Sequence, residues 1–154
     1  MLRIGEVAEV LGISRQHVVR LCDVGKLDHI KIGTHRRIPR QAIESLLSRP
    51  LSEDRARSLW LHAAVLGELV TDPEGTIAKA RQNLATMRAR QPRIAVYLDG
   101  WQKVLDAWVE EIARTFVSQD PWSTELRAHT PFAGVLSQTT QQAVLRSFRR
   151  SQQP

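Results

Sequence analysis

The chain has 154 residues, of which 42% are hydrophobic and 25% are charged, a composition typical of folded globular proteins and not of disordered ones. No apolar run approaches the ~20 residues that a membrane-spanning helix needs. The single cysteine, Cys22, excludes an intramolecular disulfide, and the start of the sequence does not resemble a secretion signal. We therefore expect a cytoplasmic protein with no membrane contact.

The positive charge of the chain is unevenly distributed. Of the net +6, residues 1–50 contribute +4 (nine Lys/Arg against five Asp/Glu) and residues 51–154 contribute +2 (thirteen against eleven). Arginine outweighs lysine, and its guanidinium group pairs bidentately with phosphate. The first fifty residues are thus the stronger candidate for binding a polyanion.

Two short helices are predicted at the N-terminus. Apolar residues recur at helical spacing from residue 4 to residue 11, and Gly12 ends this first helix. Ser14 is a strong N-cap residue that begins a second helix, with Val18, Leu21 and Cys22 on its inner side. A turn of only about three residues forces the two helices to cross at a large angle, which is the geometry of a helix-turn-helix motif.

The second helix has a polar side that suits the major groove of DNA. This side consists of Arg15, Gln16, His17 and Arg20. Arginine can donate to the O6 and N7 atoms of guanine, glutamine recognises adenine in the same way, and the backbone N–H groups after Ser14 can hold a phosphate. For one isolated helix, a face that is merely solvated is an equally good interpretation.

A basic hairpin is predicted to follow the second helix. Residues 27–32 and His35–Ile38 are expected to form two strands around a tight Gly33-Thr34 turn. Basic side chains cluster near this turn, where a wing can reach the DNA backbone or minor groove: Lys31, His35, Arg36 and Arg37. Pro39 then opens a third helix, which ends before Pro50. Its expected inner residues are Ala42, Ile43, Leu46 and Leu47.

The segments IGEVAEVLGISRQHVVRLCDVGKL and KIGTHRRIPRQAIESLL together resemble the MerR-like, excisionase-type winged helix-turn-helix family. The resemblance covers about the first third of the chain and implies that the helix starting at Ser14 is the recognition helix and that the hairpin is the wing. It implies DNA contacts by Arg15, Gln16, Arg20, Thr34, His35, Arg36 and Arg37. In one departure, Asp28-His29 follows Leu27, where family members often carry a proline.

Residues 51–154 are predicted to form an all-helical bundle. A polar stretch, residues 48–54, marks the boundary between the two parts. Three amphipathic stripes follow it: Leu59, Ala63, Leu66 and Val70, then Ile77, Ala80, Leu84 and Met87, then Leu98, Trp101, Leu105, Trp108 and Ile112. Short separators at residues 71–73 and 91–92 indicate antiparallel neighbours.

The end of the chain contains an apolar segment, Thr130–Leu136, and a final helix capped by Ser137 with Val144, Leu145 and Phe148 inside. The segment either docks a partner protein through Phe132, Val135 and Leu136, with help from the tail arginines Arg146, Arg149 and Arg150, or packs back on the bundle, which we favour. The four tryptophans are Trp60, Trp101, Trp108 and Trp122. They are expected in the core, with a dimer seam as the alternative.

No pattern typical of catalysis is present. The five histidines show no metal-ligand spacing with each other or with Cys22, the carboxylates of Glu110, Glu111 and Asp120 have no evident catalytic partner, and there is no glycine-rich phosphate loop. Cys22 is expected to be a small core residue and not a redox sensor. We expect no metal, no cofactor and no enzymatic activity.

The predicted fold is therefore mostly α: a winged helix-turn-helix at residues 1–50 and a helical bundle at residues 51–154 for dimerisation or partner binding. The predicted function is sequence-specific binding of double-stranded DNA by a transcriptional regulator. A sharper hypothesis is an autorepressing antitoxin with a toxin partner, because the second half weakly resembles antitoxin-type regulators of actinobacteria. The alternatives are an excisionase-like recombination directionality factor and an adaptor that does not bind DNA.

Overall fold

A computed structural model describes all residues, Met1–Pro154, and confirms the mostly-α fold class: nine α-helices accompany one three-stranded antiparallel sheet. The chain divides into two compact units. The first is Met1–Pro50 with Asp120–Trp122, and the second is Leu51–Gln119 with Ser123–Pro154. None of the helices combines the length and the apolar character that crossing a lipid bilayer requires.

The elements of residues 1–50 follow the predicted order, with one additional strand. They are β1 (Leu2–Arg3), α1 (Ile4–Leu11), α2 (Arg15–Asp23), β2 (Ile30–Ile32), β3 (His35–Ile38) and α3 (Arg40–Ser48). β3 lies between β1 and β2, and Leu2 pairs with Ile38. β1 was not predicted, because two residues carry no detectable periodicity.

The predicted strand at residues 27–32 is wrong over its first three residues, since β2 begins only at Ile30. The backbone N–H groups of Lys26 and Leu27 both donate to the carbonyl of Leu21, at 2.9 and 3.1 Å. Leu27 is buried, at 1% exposed. The segment therefore closes the end of α2 and fills the core before the hairpin starts.

The turn between α1 and α2 is built as predicted. Gly12 adopts a left-handed conformation (φ 66°), and the N–H of Ile13 reaches back to the carbonyl of Ala8 at 3.0 Å. A side chain would be strained in this conformation, which explains the glycine. The Ser14 hydroxyl accepts from the N–H of His17 at 3.1 Å, which confirms Ser14 as the N-cap of α2.

The core of the first unit joins all three of its helices to the sheet. Its buried residues are Val7, Ala8, Leu11, Ile13, Val18, Leu21, Cys22, Leu27, Ile38 and Ile43. Cys22 is confirmed as a core residue, and burial raises the pKa of its thiol. The prediction for Leu47 is wrong, because it is 54% exposed. The inner side of α3 is formed by Ala42, Ile43 and Leu46, and Leu47 lies about a quarter turn beyond it.

The remaining helices are α4 (Glu53–Thr71), α5 (Pro73–Arg90), α6 (Ala95–Asp106), α7 (Val109–Val117), α8 (Pro121–Ala128) and α9 (Gln138–Ser151), with a 3-10 turn at Pro92–Ile94. Ser137 caps α9 and Phe148 is buried, as predicted, while Val144 and Leu145 are half-buried. The stripe predicted on α5 is confirmed at Ile77, Ala80 and Leu84, with Met87 half-buried.

The stripe predicted on α4 is wrong in phase. The buried residues are His62, Val65 and Leu69, whereas Val70 is 63% exposed and Ala63 is also exposed. Residues 59–70 are apolar at so many positions that several helical phases fit them equally well. Contacts with α5, α7 and α9 select the phase that is observed.

The third predicted stripe is split between two helices. Leu98, Trp101, Leu105 and Ile112 are buried as predicted, but Trp108 is 46% exposed. Trp108 has φ 72° and ψ −164°, a backbone conformation that costs a residue other than glycine on the order of 1–3 kcal/mol. The chain turns at this residue, and its side chain therefore leaves the core.

An aromatic cluster forms the centre of the second unit. Trp101 is fully buried and donates from Nε1 to the carbonyl of Leu126 at 2.7 Å. The ring of Phe132 stands edge-on to the rings of Trp101 and Phe116, with centroid distances of 5.5 and 4.7 Å. Trp101 thus fits the expected core role, whereas Trp60, like Trp108, is exposed, at 37%.

The segment Thr130–Leu136 packs on the bundle. Asn83 donates from Nδ2 to the carbonyls of Pro131 and Ala133, at 2.8 and 3.0 Å, and Lys79 donates to the carbonyl of Gly134 at 2.7 Å. Phe132 is only 3% exposed, which fits the favoured interpretation that this segment packs back on the bundle and leaves the alternative, a partner contact, without an exposed aromatic anchor. Val135 and Leu136, also predicted to contact a partner, are half-buried.

Candidate nucleic-acid interface

A groove of about 810 Å³ runs between the first turn of α1, the start of α2 and the hairpin of β2 and β3. It brings together side chains that the sequence places on separate elements. Those predicted to bind DNA are Arg15, Thr34, His35, Arg36 and Arg37, and Arg3, Glu6 and Glu9 also line the groove. Five predicted contact residues therefore share one concave surface.

Arg15 lies across the start of α1 at Gly5. A Cβ atom placed on Gly5 would lie only 3.2 Å from Nε of Arg15 and 3.3 Å from its Nη2. Arg15 is exposed and flexible, so a shift of a few tenths of an ångström in its side chain would accommodate a larger residue at this position. This contact of Gly5 was not predicted, although an isolated glycine in a helical pattern is a signal of close approach.

The start of α2 presents both side chains and backbone donors. Ser14, Gln16 and Arg20 are exposed, as is Arg15. Because the Ser14 hydroxyl takes up the N–H of His17, the N–H groups of Arg15 and Gln16 are the free donors of this first turn. Backbone donors of this kind can bind a phosphate oxygen.

His17 does not belong to this surface, contrary to the prediction. It is 3% exposed, and its ring meets the ring of Trp122 edge-on at a centroid distance of 4.9 Å. His17 lies beside Val18 and Leu21 on the inner side of α2. It was assigned to the outer side because histidine is polar, but an imidazole ring also packs well in a core.

Arg36 holds the hairpin against α2. Its Nη2 atom lies 2.6 Å from Oδ1 of Asp23, and its Nη1 atom donates to the carbonyl of Val19 at 3.1 Å. Alternation along β3 places Arg36 on the same side as the buried Ile38. The predicted direct DNA contact of Arg36 is therefore replaced by a structural contact that fixes the position of the wing.

The opposite face of the hairpin combines basic and apolar side chains. Ile30 pairs with Arg37 and Ile32 with His35, so these four residues share one face of the sheet. Ile30 is 46% and Ile32 is 58% exposed, and the exposure of these two apolar residues was not predicted. Lys31, Thr34 and His35 are exposed as well, while Arg37 is half-buried and donates to the carbonyl of Arg36 at 3.3 Å.

This order of elements and the shared groove agree with a comparison to known families. Residues 1–50 match the family model of the helix-turn-helix domain. The match supports a DNA-binding domain in this part of the chain and confirms the helix-turn-helix prediction. No curated protein and no solved structure matches the chain at a significant level. The MerR-like and excisionase-type features, and the likeness of residues 51–154 to antitoxins, stay predictions.

Proposed function

We propose that the protein is a transcriptional regulator that binds double-stranded DNA in a sequence-specific manner through its helix-turn-helix domain. One observation carries the proposal: Arg15, at the start of α2, borders the same groove as His35 and Arg37 of the hairpin. In helix-turn-helix domains, the N-terminal residues of the second helix contact base edges in the major groove.

The exposed side chains fall into two groups, one that contacts bases and one that contacts the DNA backbone or minor groove. Arg15 and Gln16 contact base edges, since a guanidinium group pairs with guanine and an amide with adenine. Lys31, His35 and Arg37 lie on the hairpin and contact the phosphate backbone or the minor groove, with Thr34 at the turn and Arg20 farther along α2 as additional polar contacts. Arg36 acts indirectly, by holding the hairpin beside α2.

Substitutions in the two groups are expected to affect DNA binding differently. Arg15→Ala or Gln16→Ala should reduce affinity for the preferred site by about 1–3 kcal/mol and should spare random DNA, because base contacts carry the sequence preference. Lys31→Ala or Arg37→Ala should weaken binding to both and lower the slope of log K against log salt by about 0.9 per lost phosphate contact. The preferred site can be selected from a random duplex library, and fluorescence anisotropy at several salt concentrations then measures both quantities. Unchanged binding in all four variants would contradict the assigned surface.

Asp23→Asn tests the indirect role of Arg36 within the same experiment. The substitution releases Arg36 and removes a negative charge, so a direct phosphate contact by Arg36 would become stronger. If Arg36 instead positions the hairpin, Asp23→Asn and Arg36→Ala should weaken binding to a similar degree. Tighter binding by Asp23→Asn would refute the positioning role.

We also propose that residues 51–154 dimerise the protein. One small domain reads a short site with limited affinity, whereas two linked copies gain affinity through their high effective concentration. The exposed Trp60 and Trp108 provide apolar area for such a contact. Sedimentation equilibrium of the full chain should show a dimer at micromolar concentration, and a monomer at high micromolar concentration would contradict this part of the proposal.

The narrower regulatory roles have less support. A toxin partner has no exposed aromatic anchor on the segment Thr130–Leu136, because Phe132 lies in the core. A recombination directionality factor needs little more than the winged domain, and the second unit, of more than a hundred residues, is larger than that role requires. DNA-binding regulation without enzymatic activity is the function that the groove and the family match support best.

A further inference from the structure

Helix α9 has a strongly basic outer side. Phe148 on its inner side is 1% exposed, with the ring of Trp60 edge-on to it at a centroid distance of 5.6 Å. Arg146, Arg149 and Arg150 are all exposed. Their i, i+3 and i+4 spacing makes them neighbours on the helix surface, on the side opposite Phe148. Thr139, Gln142 and Ala143 lie along the same side.

None of these three arginines has an acidic partner. Arg90 and Arg93 also lack one, but they lie on different elements, α5 and the 3-10 turn, whereas the three arginines of α9 are neighbours on one helix. Five others form ion pairs: Arg55 with Glu125, Arg57 with Glu53 and Asp54, Arg81 with Asp106, Arg88 with Asp99, and Arg114 with Glu111, at distances of 2.5–3.2 Å. No acidic residue follows Glu125 in the chain. The outer side of α9 therefore carries three uncompensated positive charges.

The attraction between arginine and the end of the helix dipole explains only part of this pattern. Arg149 and Arg150 lie in the last turn, where a cation is favourable. Arg146 lies a turn earlier, and the rest of the outer side is neutral and polar. A face that presents adjacent guanidinium groups among small polar side chains is chemically suited to a row of phosphates.

We propose that the outer side of α9 binds the phosphate backbone of double-stranded DNA, as a second contact that adds affinity without sequence preference. The proposal rests on the DNA binding proposed for residues 1–50. An acidic protein is a less suitable occupant, because stable protein interfaces are built around apolar or aromatic anchors. The only apolar side chain on this side of α9 is the methyl group of Ala143. Phosphate binding by arginine needs no such anchor.

The experiment measures binding of the full-length chain to a 30-base-pair duplex of mixed sequence, about three helical turns of B-DNA, between 50 and 200 mM salt. The test variant is Arg146→Gln/Arg149→Gln/Arg150→Gln. A control, Arg81→Gln/Arg88→Gln, removes exposed arginines that already have acidic partners. A second control, Arg146→Lys/Arg149→Lys/Arg150→Lys, keeps the three charges, and thermal melting checks that each variant is folded.

Loss of three phosphate contacts should lower the slope of log K against log salt by about 2.7, so that raising the salt from 50 to 200 mM costs the wild type about 40-fold more affinity than the glutamine variant. Both controls, Arg81→Gln/Arg88→Gln and the triple lysine variant, should keep the wild-type slope. An equal slope in the wild type and the glutamine variant would overturn the proposal. So would a glutamine variant that keeps its DNA slope but loses binding to polyglutamate, because the face would then belong to an acidic protein.

The two proposals can fail separately in this experiment. If Lys31→Ala/Arg37→Ala lowers the slope and the α9 variant does not, only the α9 contact is refuted. If the α9 variant lowers the slope and the hairpin variant does not, the assignment of residues 1–50 is refuted and the α9 contact stands alone. A wild-type chain that does not bind the duplex at 50 mM salt refutes both.

Discussion

Arg127→Ala is expected to lower the free energy of unfolding of the second unit by about 3–5 kcal/mol. Arg127 is 1% exposed, and its Nη1 atom donates to the carbonyls of Thr115 and Ser118, where α7 ends. Its Nη2 atom donates to the hydroxyl of Thr124 at 3.4 Å. Alanine would leave these carbonyls without their donor in a buried place and would remove the aliphatic part of a large core side chain.

Denaturant unfolding followed by tryptophan fluorescence measures this effect, because three of the four tryptophans, Trp60, Trp101 and Trp108, lie in the second unit. Arg88→Ala is the matched control. Its ion pair with Asp99 is exposed, so its loss should cost no more than about 1 kcal/mol. Arg127→Lys keeps the charge but not the forked donor geometry and should fall between the two. A cost below about 1 kcal/mol for Arg127→Ala would mean that water replaces the guanidinium group at the end of α7.

Acidification is expected to remove about 3 kcal/mol of stability through His62. His62 is 4% exposed, and burial is the main cause that lowers its pKa to about 4, with a smaller contribution from the positive charge of Arg127. The unfolded chain takes up a proton near pH 6.5, whereas the folded protein resists protonation down to about pH 4. The contribution of His62 is therefore fully present above pH 6.5 and is lost as the pH falls to about 4.

The hydrogen bonds of His62 in the folded protein favour its neutral form. Nδ1 lies 2.7 Å from the carbonyl of Ser58, which can only accept, so Nδ1 carries the proton. Nε2 lies 2.8 Å from the hydroxyl of Thr130 and accepts from it. The hydroxyl oxygen of Thr130 in turn accepts from the N–H of Phe132 at 3.1 Å. A second proton, on Nε2, would turn this nitrogen from an acceptor into a donor and would leave the hydroxyl proton of Thr130 without its acceptor.

Denaturant unfolding curves between pH 4 and pH 8 test the role of His62. His62→Leu should be less stable than the wild type at pH 8, and its stability should fall less steeply than that of the wild type below pH 6.5. His35→Ala removes an exposed histidine and should keep the wild-type pH profile. Parallel pH profiles for the wild type and His62→Leu would contradict the assignment of the acid sensitivity to this residue.

The helix-turn-helix and the hairpin could be predicted because their signals are local. Gly12, Ser14 and the Gly33-Thr34 turn each act through the backbone conformation or the hydrogen bonds of a few neighbouring residues. Such effects do not depend on the rest of the fold. The order of these elements, and most of the polar side chains on the proposed DNA-binding surface, therefore follow from the sequence.

The errors occur where a side chain has two chemically acceptable environments. His17 suits a groove or a core, and Arg36 suits a phosphate or a carboxylate. The phase of α4 was undetermined for a similar reason, since many of its positions are apolar. Periodicity and residue type cannot distinguish between such environments.

The sequence by itself thus determined the helix caps, the turns and the hairpin, because these depend on interactions within a few residues. Only the tertiary structure decided that Arg36 pairs with Asp23, that Arg15 lies beside Gly5 and that Arg127 lies buried at the end of α7. Each of these contacts joins residues at least nine positions apart in the chain. Their energy depends on distances and on the exclusion of water, which packing alone establishes.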